Sequence, residues 1–289
     1  MLPANCCAGL LTFDGKGEQM TKRAILALVD PSEASEGSAA AALAFAGPFG
    51  ADVTVGLVAA VPVPGDRTFP PHLSKQQFNE LLEKKEQQTW SLAHASGCEV
   101  RIFIDPVDAL LDAIVRAARC FDLILLGPVT AFDRDLRLML IEKLLLHAGK
   151  PLVLLTGQGP AHRPARVVVG WDGGTEASIA LDRALEWTDA HARFDLISVL
   201  PMNSPLSLRS EADDMCARLT RRGHAAVSSI ARRGHLSTAA TLLGRAVAES
   251  ADLVVVGGFG HSRLREALVG GVTSEIIRGE HTLPVLIAH

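Results

Sequence analysis

Short runs of branched apolar residues alternate along most of this chain with longer stretches whose apolar positions recur at helical spacing. Residues 24–29 (AILALV) are the first run, ended by Asp30, Pro31 and Ser32; a run apolar at every position predicts a strand buried on both faces. Similar runs at 53–61, 100–104, 122–126 and 151–155 predict four more strands. Between them, residues 36–46, 74–95, 109–118 and 136–147 predict helices, the long polar one carrying Phe78, Leu81, Leu82 and Leu92 as inward candidates. A proline-rich loop at 62–71 separates the second strand from that helix.

Residues 156–165 (TGQGPAHRPA) connect by composition, and then the series restarts. Strands are predicted at 167–170, 194–200, 225–231, 253–256 and 284–288, with helices at 175–189, 208–222, 237–250 and, in a short piece, 274–278. Asp30 answers to Asp172 and Glu33-Ala34-Ser35 to Glu176-Ala177-Ser178. Asp122-Leu123 before Gly127 answers to Asp252-Leu253 before Gly257, and Pro151 to Pro284. A repeat this long means duplicated domains rather than a solenoid. Strands alternating with helices predict an α/β fold: two tandem doubly wound parallel sheets of five strands, with helices on both faces. The expected limits are a disordered or extended tail at 1–20, a first domain at 21–156, a linker at 157–164 and a second domain at 165–289. The tail lacks the basic leader of a signal peptide, and Met20 is an alternative start.

Residues 257–273 (GGFGHSRLREALVGGVT) carry the candidate chemistry. They follow the fourth strand of the second copy. Glycines let a backbone bring unpaired N–H groups close to an anion, above all where a helix begins. The spacing is Gly257, two residues, Gly260, nine residues, Gly270-Gly271, which fits neither GxGxxG nor GxxxxGK[ST]. It allows a two-part phosphate cradle or two ordinary glycine turns.

Taken whole, the stretch resembles the nucleotide loop of the universal stress protein family, G-x2-G-x9-G-[ST], with Gly271 where the family usually has Ser or Thr. The resemblance extends over both copies. It implies an adenine nucleotide, ATP, with Mg2+ as an accompanying ion. Asp172, after the first strand, would contact the base, and Val199 would line the base pocket. Gly257, Gly260, Gly270, Gly271, Val272 and Thr273 would hold the ribose and phosphates. His261 and Arg263, within the loop, read either as further phosphate-side groups or as part of a surface turn and a solvated helix face. The family's setting implies a cytoplasmic stress-response protein in which ATP is a regulatory or structural ligand rather than a substrate. Family members commonly dimerise through their terminal strands; here the strands at 151–155 and 284–288 are expected edges, which allows the two domains to pair within one chain and leaves open a homodimer of chains as well.

The first copy departs from this pattern. Gly127 is followed by Pro128, which has no backbone donor, and Arg137-Leu138 stand where the second copy has Gly270-Gly271. The loop is also shorter and carries Asp133 and Asp135. A single nucleotide site per chain, in the second domain, is therefore expected, with Asp30 reduced to a turn or helix-start aspartate.

Composition narrows the alternatives. The 289 residues carry a net charge of −4, 4% aromatics and no tyrosine, which disfavours nucleic acid and anionic membranes as partners. Hydrophobic residues make up 48% of the chain, but no run reaches the length of a membrane span. Cys6, Cys7, Cys98, Cys120 and Cys216 are odd in number and scattered, without a CxxC, as in a reducing compartment with no zinc site. Catalytic residues are not expected. His261-Ser262 has no orienting acid in its motif, and residues 172–178 (DGGTEAS) only weakly resemble the SGGxDS loop of adenylating pyrophosphatases. An interaction module of the same fold without nucleotide, and a slow ATP-hydrolysing or adenylating enzyme, are the competing readings. Trp171, beside Asp172, offers a fluorescence reporter against Trp90 and Trp187 as background.

Overall fold

The computed structural model describes residues 12–13, 19–20, 22–30, 35–61, 75–95, 97–128, 133–157, 162–203, 209–258 and 271–289. Within the N-terminal tail, β1 (Thr12–Phe13) and β2 (Gln19–Met20) pair antiparallel; the rest of the expected tail lies outside the described residues.

The first half runs β3 (Ala24–Val29), α1 (Ser35–Ala46), β4 (Asp52–Ala60), α2 (Lys75–Ala95), β5 (Glu99–Asp105), α3 (Val107–Ala118), β6 (Leu123–Leu126), α4 (Arg134–His147) and β7 (Leu152–Leu154). The second half repeats it as β8 (Arg166–Gly170), α5 (Thr175–Ala184), β9 (Arg193–Pro201), α6 (Arg209–Arg221), β10 (Ala225–Arg233), α7 (Thr238–Ala248), β11 (Leu253–Gly257), α8 (Val272–Arg278) and β12 (Val285–Ala288). Most boundaries fall within two residues of those expected. The helix expected over 175–189 is shorter: α5 ends at Ala184 and tightens into a 3-10 turn, Leu185–Trp187. The helix expected from 136 begins earlier, because the Asp133 carboxylate accepts the backbone N–H groups of Asp135 and Leu136 and caps α4.

Each half has its strands in the order third, second, first, fourth, fifth, all parallel, and the two sets join in one ten-stranded sheet, β10-β9-β8-β11-β12-β7-β6-β3-β4-β5. The joint is antiparallel, with Val285 opposite Leu154 and Ile287 opposite Leu152. The strands expected at sheet edges are thus at its centre, and β5 and β10 are the edges.

Alternation within each apolar run makes three layers. Leu26, Leu28, Ile124, Leu126, Val254 and Val256 point to one face with α3, α4, α7 and α8. Ile25, Ala27, Leu123, Leu125, Leu253, Val255 and Leu286 point to the other with α1, α5 and α6. Both layers run unbroken across the joint between halves.

The repeated aspartate before each fourth strand is structural and lies at the amino ends of the strands. Asp122 Oδ2 accepts the Ala24 N–H at 2.8 Å, and Asp252 Oδ2 accepts those of Ala165 and Arg166, both at 2.9 Å. Each carboxylate fixes the start of the first strand of its own half. Replacing Asp252 by alanine removes two charge-assisted bonds and should lower stability by about 2 kcal/mol. Equilibrium urea unfolding reads this directly; an unchanged midpoint would show that water replaces the carboxylate at no loss.

Candidate functional site

In the second half the strand order reverses between β8 and β11, so the loops leaving them run to opposite faces and open a crevice at their carboxyl ends. A cavity of about 190 Å³ sits there, walled by the ends of β8, β9 and β11 and the first turns of α5, α7 and α8. Five of the sequence-predicted residues line it: Asp172, Val199, Gly257, Val272 and Thr273. Gly271 is described but is not part of the wall. Gly260, His261, Arg263 and Gly270 lie outside the described residues.

Asp172 is exposed at the mouth, where the chain turns from β8 into α5. Its Oδ1 accepts the Gly174 N–H at 2.9 Å, an Asx turn made possible by Gly173 at φ 77°. Among the described residues nothing donates to Oδ2, so one oxygen is available to a ligand while the other holds the turn. Trp171, immediately before it, is buried on the cavity wall.

Gly257 ends β11 hard against the first turn of α5. A β-carbon there would stand 2.7 Å from the Ala177 nitrogen and 2.8 Å from the Glu176 carbonyl carbon, both backbone atoms. No side chain fits. The Gly257 carbonyl accepts from Thr273 Oγ1 at 2.8 Å, so the buried threonine hydroxyl ties α8 to the end of β11 rather than facing the cavity as a free donor. Gly271 precedes α8 at φ 149°, a conformation that side chains rarely adopt, which is the local reason for glycine there. Ser237 caps α7 by accepting the Ala240 N–H at 3.0 Å, and its hydroxyl donates to Glu275 of α8, which joins the two helices that close one side of the cavity.

Sequence reasoning missed several wall residues, including Glu176, Ile197, Thr238, Leu242 and Val256. Val256 and Ile197 could have been found by counting back from the strand ends. Thr238 and Leu242 are one helical turn apart on α7, which follows the edge strand β10 yet packs across β9, so only the tertiary arrangement brings them in.

The corresponding region of the first half is filled differently. Asp30 is buried and accepts the Asp133 N–H at 3.4 Å, a link from the end of β3 to the start of α4. Arg137, in the position of Gly270, is buried on α4, and its Nε donates to the Gly127 carbonyl at 3.4 Å. In both halves, therefore, the carbonyl ending the fourth strand is met by a side chain of the next helix: threonine in one, arginine in the other.

No group of three or more His, Cys, Asp or Glu side chains suited to a metal ion occurs among the described residues. None of their helices is long and apolar enough to cross a membrane. Among the described residues no disulfide joins Cys98, Cys120 and Cys216, and burial pushes the thiol of Cys216 up to about 11.

An open parallel α/β sheet with a crevice at its switch point defines the doubly wound class of ligand-binding folds. The sequence profile of the universal stress protein family matches residues 165–289. Among solved structures, a universal stress protein from Archaeoglobus fulgidus DSM 4304 covers 92% of this chain and 95% of its own, at 17% identity and a TM-score of 0.65. A protein of Pseudomonas aeruginosa UCBPP-PA14, described as belonging to the same class, covers 92% of this chain and 93% of its own, at 16% identity and a TM-score of 0.51. At these identities the likeness is one of fold, and it spans both halves. A universal stress protein family member from Burkholderia pseudomallei is 32% identical over 32% of this chain and 81% of its own, with a TM-score of 0.29. No curated protein matches. The chain belongs to the universal stress protein family.

Proposed function

We propose that the second domain, residues 165–289, binds one adenine nucleotide, ATP in the first instance, as a regulatory or structural ligand of a stress response, and that the first domain, 21–156, joined to it by 157–164, binds none. The observation that carries this reading is the cavity at the β8/β11 switch point, where Asp172, Val199 and Gly257 converge on one space although they stand far apart in sequence. Asp172 offers a free carboxylate oxygen to the base amino group. Val199 supplies an apolar wall. The glycine-rich segment between Gly258 and Gly271 connects two elements of the same cavity, so phosphates leaving it would meet that segment, with Mg2+ as their counter-ion. Binding rather than turnover is the role, since Thr273 and one Asp172 oxygen are already committed to backbone groups that hold the walls in place.

Nucleotide released on denaturing protein purified without added ATP, followed by ATP titration monitored through Trp171 fluorescence, tests the reading. Asp172→Ala should raise the ATP dissociation constant by about tenfold, the loss of one charge-assisted hydrogen bond. Wild-type protein that gives no calorimetric signal at millimolar ATP would leave an interaction module of this fold without a nucleotide.

A further inference from the structure

Arg137 belongs to the first half, yet one of its bonds ends in the second. Its Nη1 donates at 2.9 Å to the carbonyl of Ile277, in the last turn of α8, while Nε reaches back to Gly127 at the end of β6. The last carbonyls of a helix have no partner within it. Here one of them receives a guanidinium from the other half, a cation at the negative end of the helix. Arg137 is 2% exposed, and no carboxylate lies within ion-pair distance of it among the described residues. Burial pulls its guanidinium down to about 10, still charged at neutral pH. A buried cation held by carbonyls alone is costly to keep, and what it holds is specific.

That contact matters because α8 has seven residues and both of its ends are engaged. At its start Val272 and Thr273 form cavity wall, and Thr273 is bonded to Gly257. At its end is Arg137. A helix of two turns moves as a rigid piece, so freeing one end shifts the other. We propose that Arg137 is a positioning residue for the cavity of the second half: by anchoring the end of α8 it sets where Val272 and Thr273 stand. The first half, in this view, has exchanged a glycine of its own loop for a brace on its neighbour's. The effect expected on ligand affinity rests on the nucleotide reading above; the effect on α8 itself does not.

Two measurements on the full chain keep these apart: hydrogen exchange of the α8 amides without ligand, and ATP affinity. Arg137→Met keeps the side chain's bulk and removes its donors. It should speed α8 exchange relative to β11 and β12, and weaken ATP binding, each by about tenfold, the usual scale of coupling between neighbouring sites. Arg137→Lys retains one donor for the Ile277 carbonyl and should restore part of both. Leu57→Ala, which opens a cavity in the core of the first half, should leave the relative protection of α8 unchanged. Equal α8 protection in Arg137→Met and wild type would overturn the proposal, as would equal loosening by Leu57→Ala, or ATP affinity in Arg137→Met matching a measurable wild-type value. Should wild type bind no ATP, the nucleotide reading fails and α8 exchange alone decides. Should Arg137→Met not fold, Arg137→Lys decides by the same comparison: faster exchange confined to α8 supports the brace, and none sinks it.

Discussion

Gly257→Val should be among the most damaging substitutions in the chain, lowering stability by about 3 kcal/mol and abolishing ligand binding in the cavity. The reason is the backbone packed against its Cα. A β-carbon at this position meets the Ala177 nitrogen at 2.7 Å and Glu176 atoms at 2.8 and 2.9 Å. A clash with the tip of a flexible side chain is relieved by a rotamer change. Here the first turn of α5 must retreat from β11 as a body, and that turn and strand are two walls of the same cavity. Gly257→Ala should show the same sign with smaller size. Gly244 makes the contrast: it lies inside α7, and a β-carbon there meets nothing within 4 Å. Gly244→Ala should stabilise by about 0.5–1 kcal/mol through helix propensity alone. Urea midpoints of the three variants, with Trp171 fluorescence for binding, test the set. A Gly257→Val protein with wild-type stability would mean that α5 and β11 are less closely apposed than described.

Gly257 also shows why some of this site was legible in the sequence. A glycine closing a run of four branched apolar residues is conspicuous, and its counterpart Gly127 has the same setting. The alternation of runs and helices gave every large element, because strands buried on both faces cannot carry polar residues in their middles. What failed to show was anything decided between elements. The Asp122 and Asp252 pair was visible as a repeat, but whether it served the ligand end or the opposite end depended on hydrogen bonds to Ala24, Ala165 and Arg166. Arg137 was visible as a lost glycine, whereas the carbonyl it reaches, Ile277, is 140 residues away. Thr238 and Leu242 reach the cavity because α7 crosses from an edge strand over its neighbour, a path that local pattern leaves open. The central joint of the sheet was legible in part: the strands at 151–155 and 284–288 read as edges able to pair within the chain, but that they do so, antiparallel, is decided between the elements.

Trp187→Ala should lower stability by about 4 kcal/mol and also change the form of the unfolding transition. Trp187 is fully buried in the 3-10 turn after α5 of the second half, and its ring meets Phe49 of the first half edge-on, centroids 5.3 Å apart at 70°. Above the ring lies the Arg23 guanidinium, 5.1 Å from its centroid, and Arg23 donates to the carbonyl of Glu186. Arg163, from the linker just before β8, in turn lies 5.1 Å over Phe49 and donates to the Pro48 carbonyl at 3.0 Å. The first half and the linker thus each send an arginine onto an aromatic ring across the joint that β7 and β12 form. Removing the indole empties the centre of this exchange, so the cavity penalty falls on the coupling between halves as well as on the core. Scanning calorimetry should resolve one wild-type transition into two in the variant. Trp187→Phe separates the causes. The indole Nε1 is buried without a hydrogen-bond partner among the described residues, so phenylalanine loses volume and cation–π strength but leaves no new unsatisfied group. It should cost about 1–2 kcal/mol and keep a single transition. A single transition in Trp187→Ala would instead place the coupling in the strand joint, with the aromatic cluster contributing only to the core of its own half.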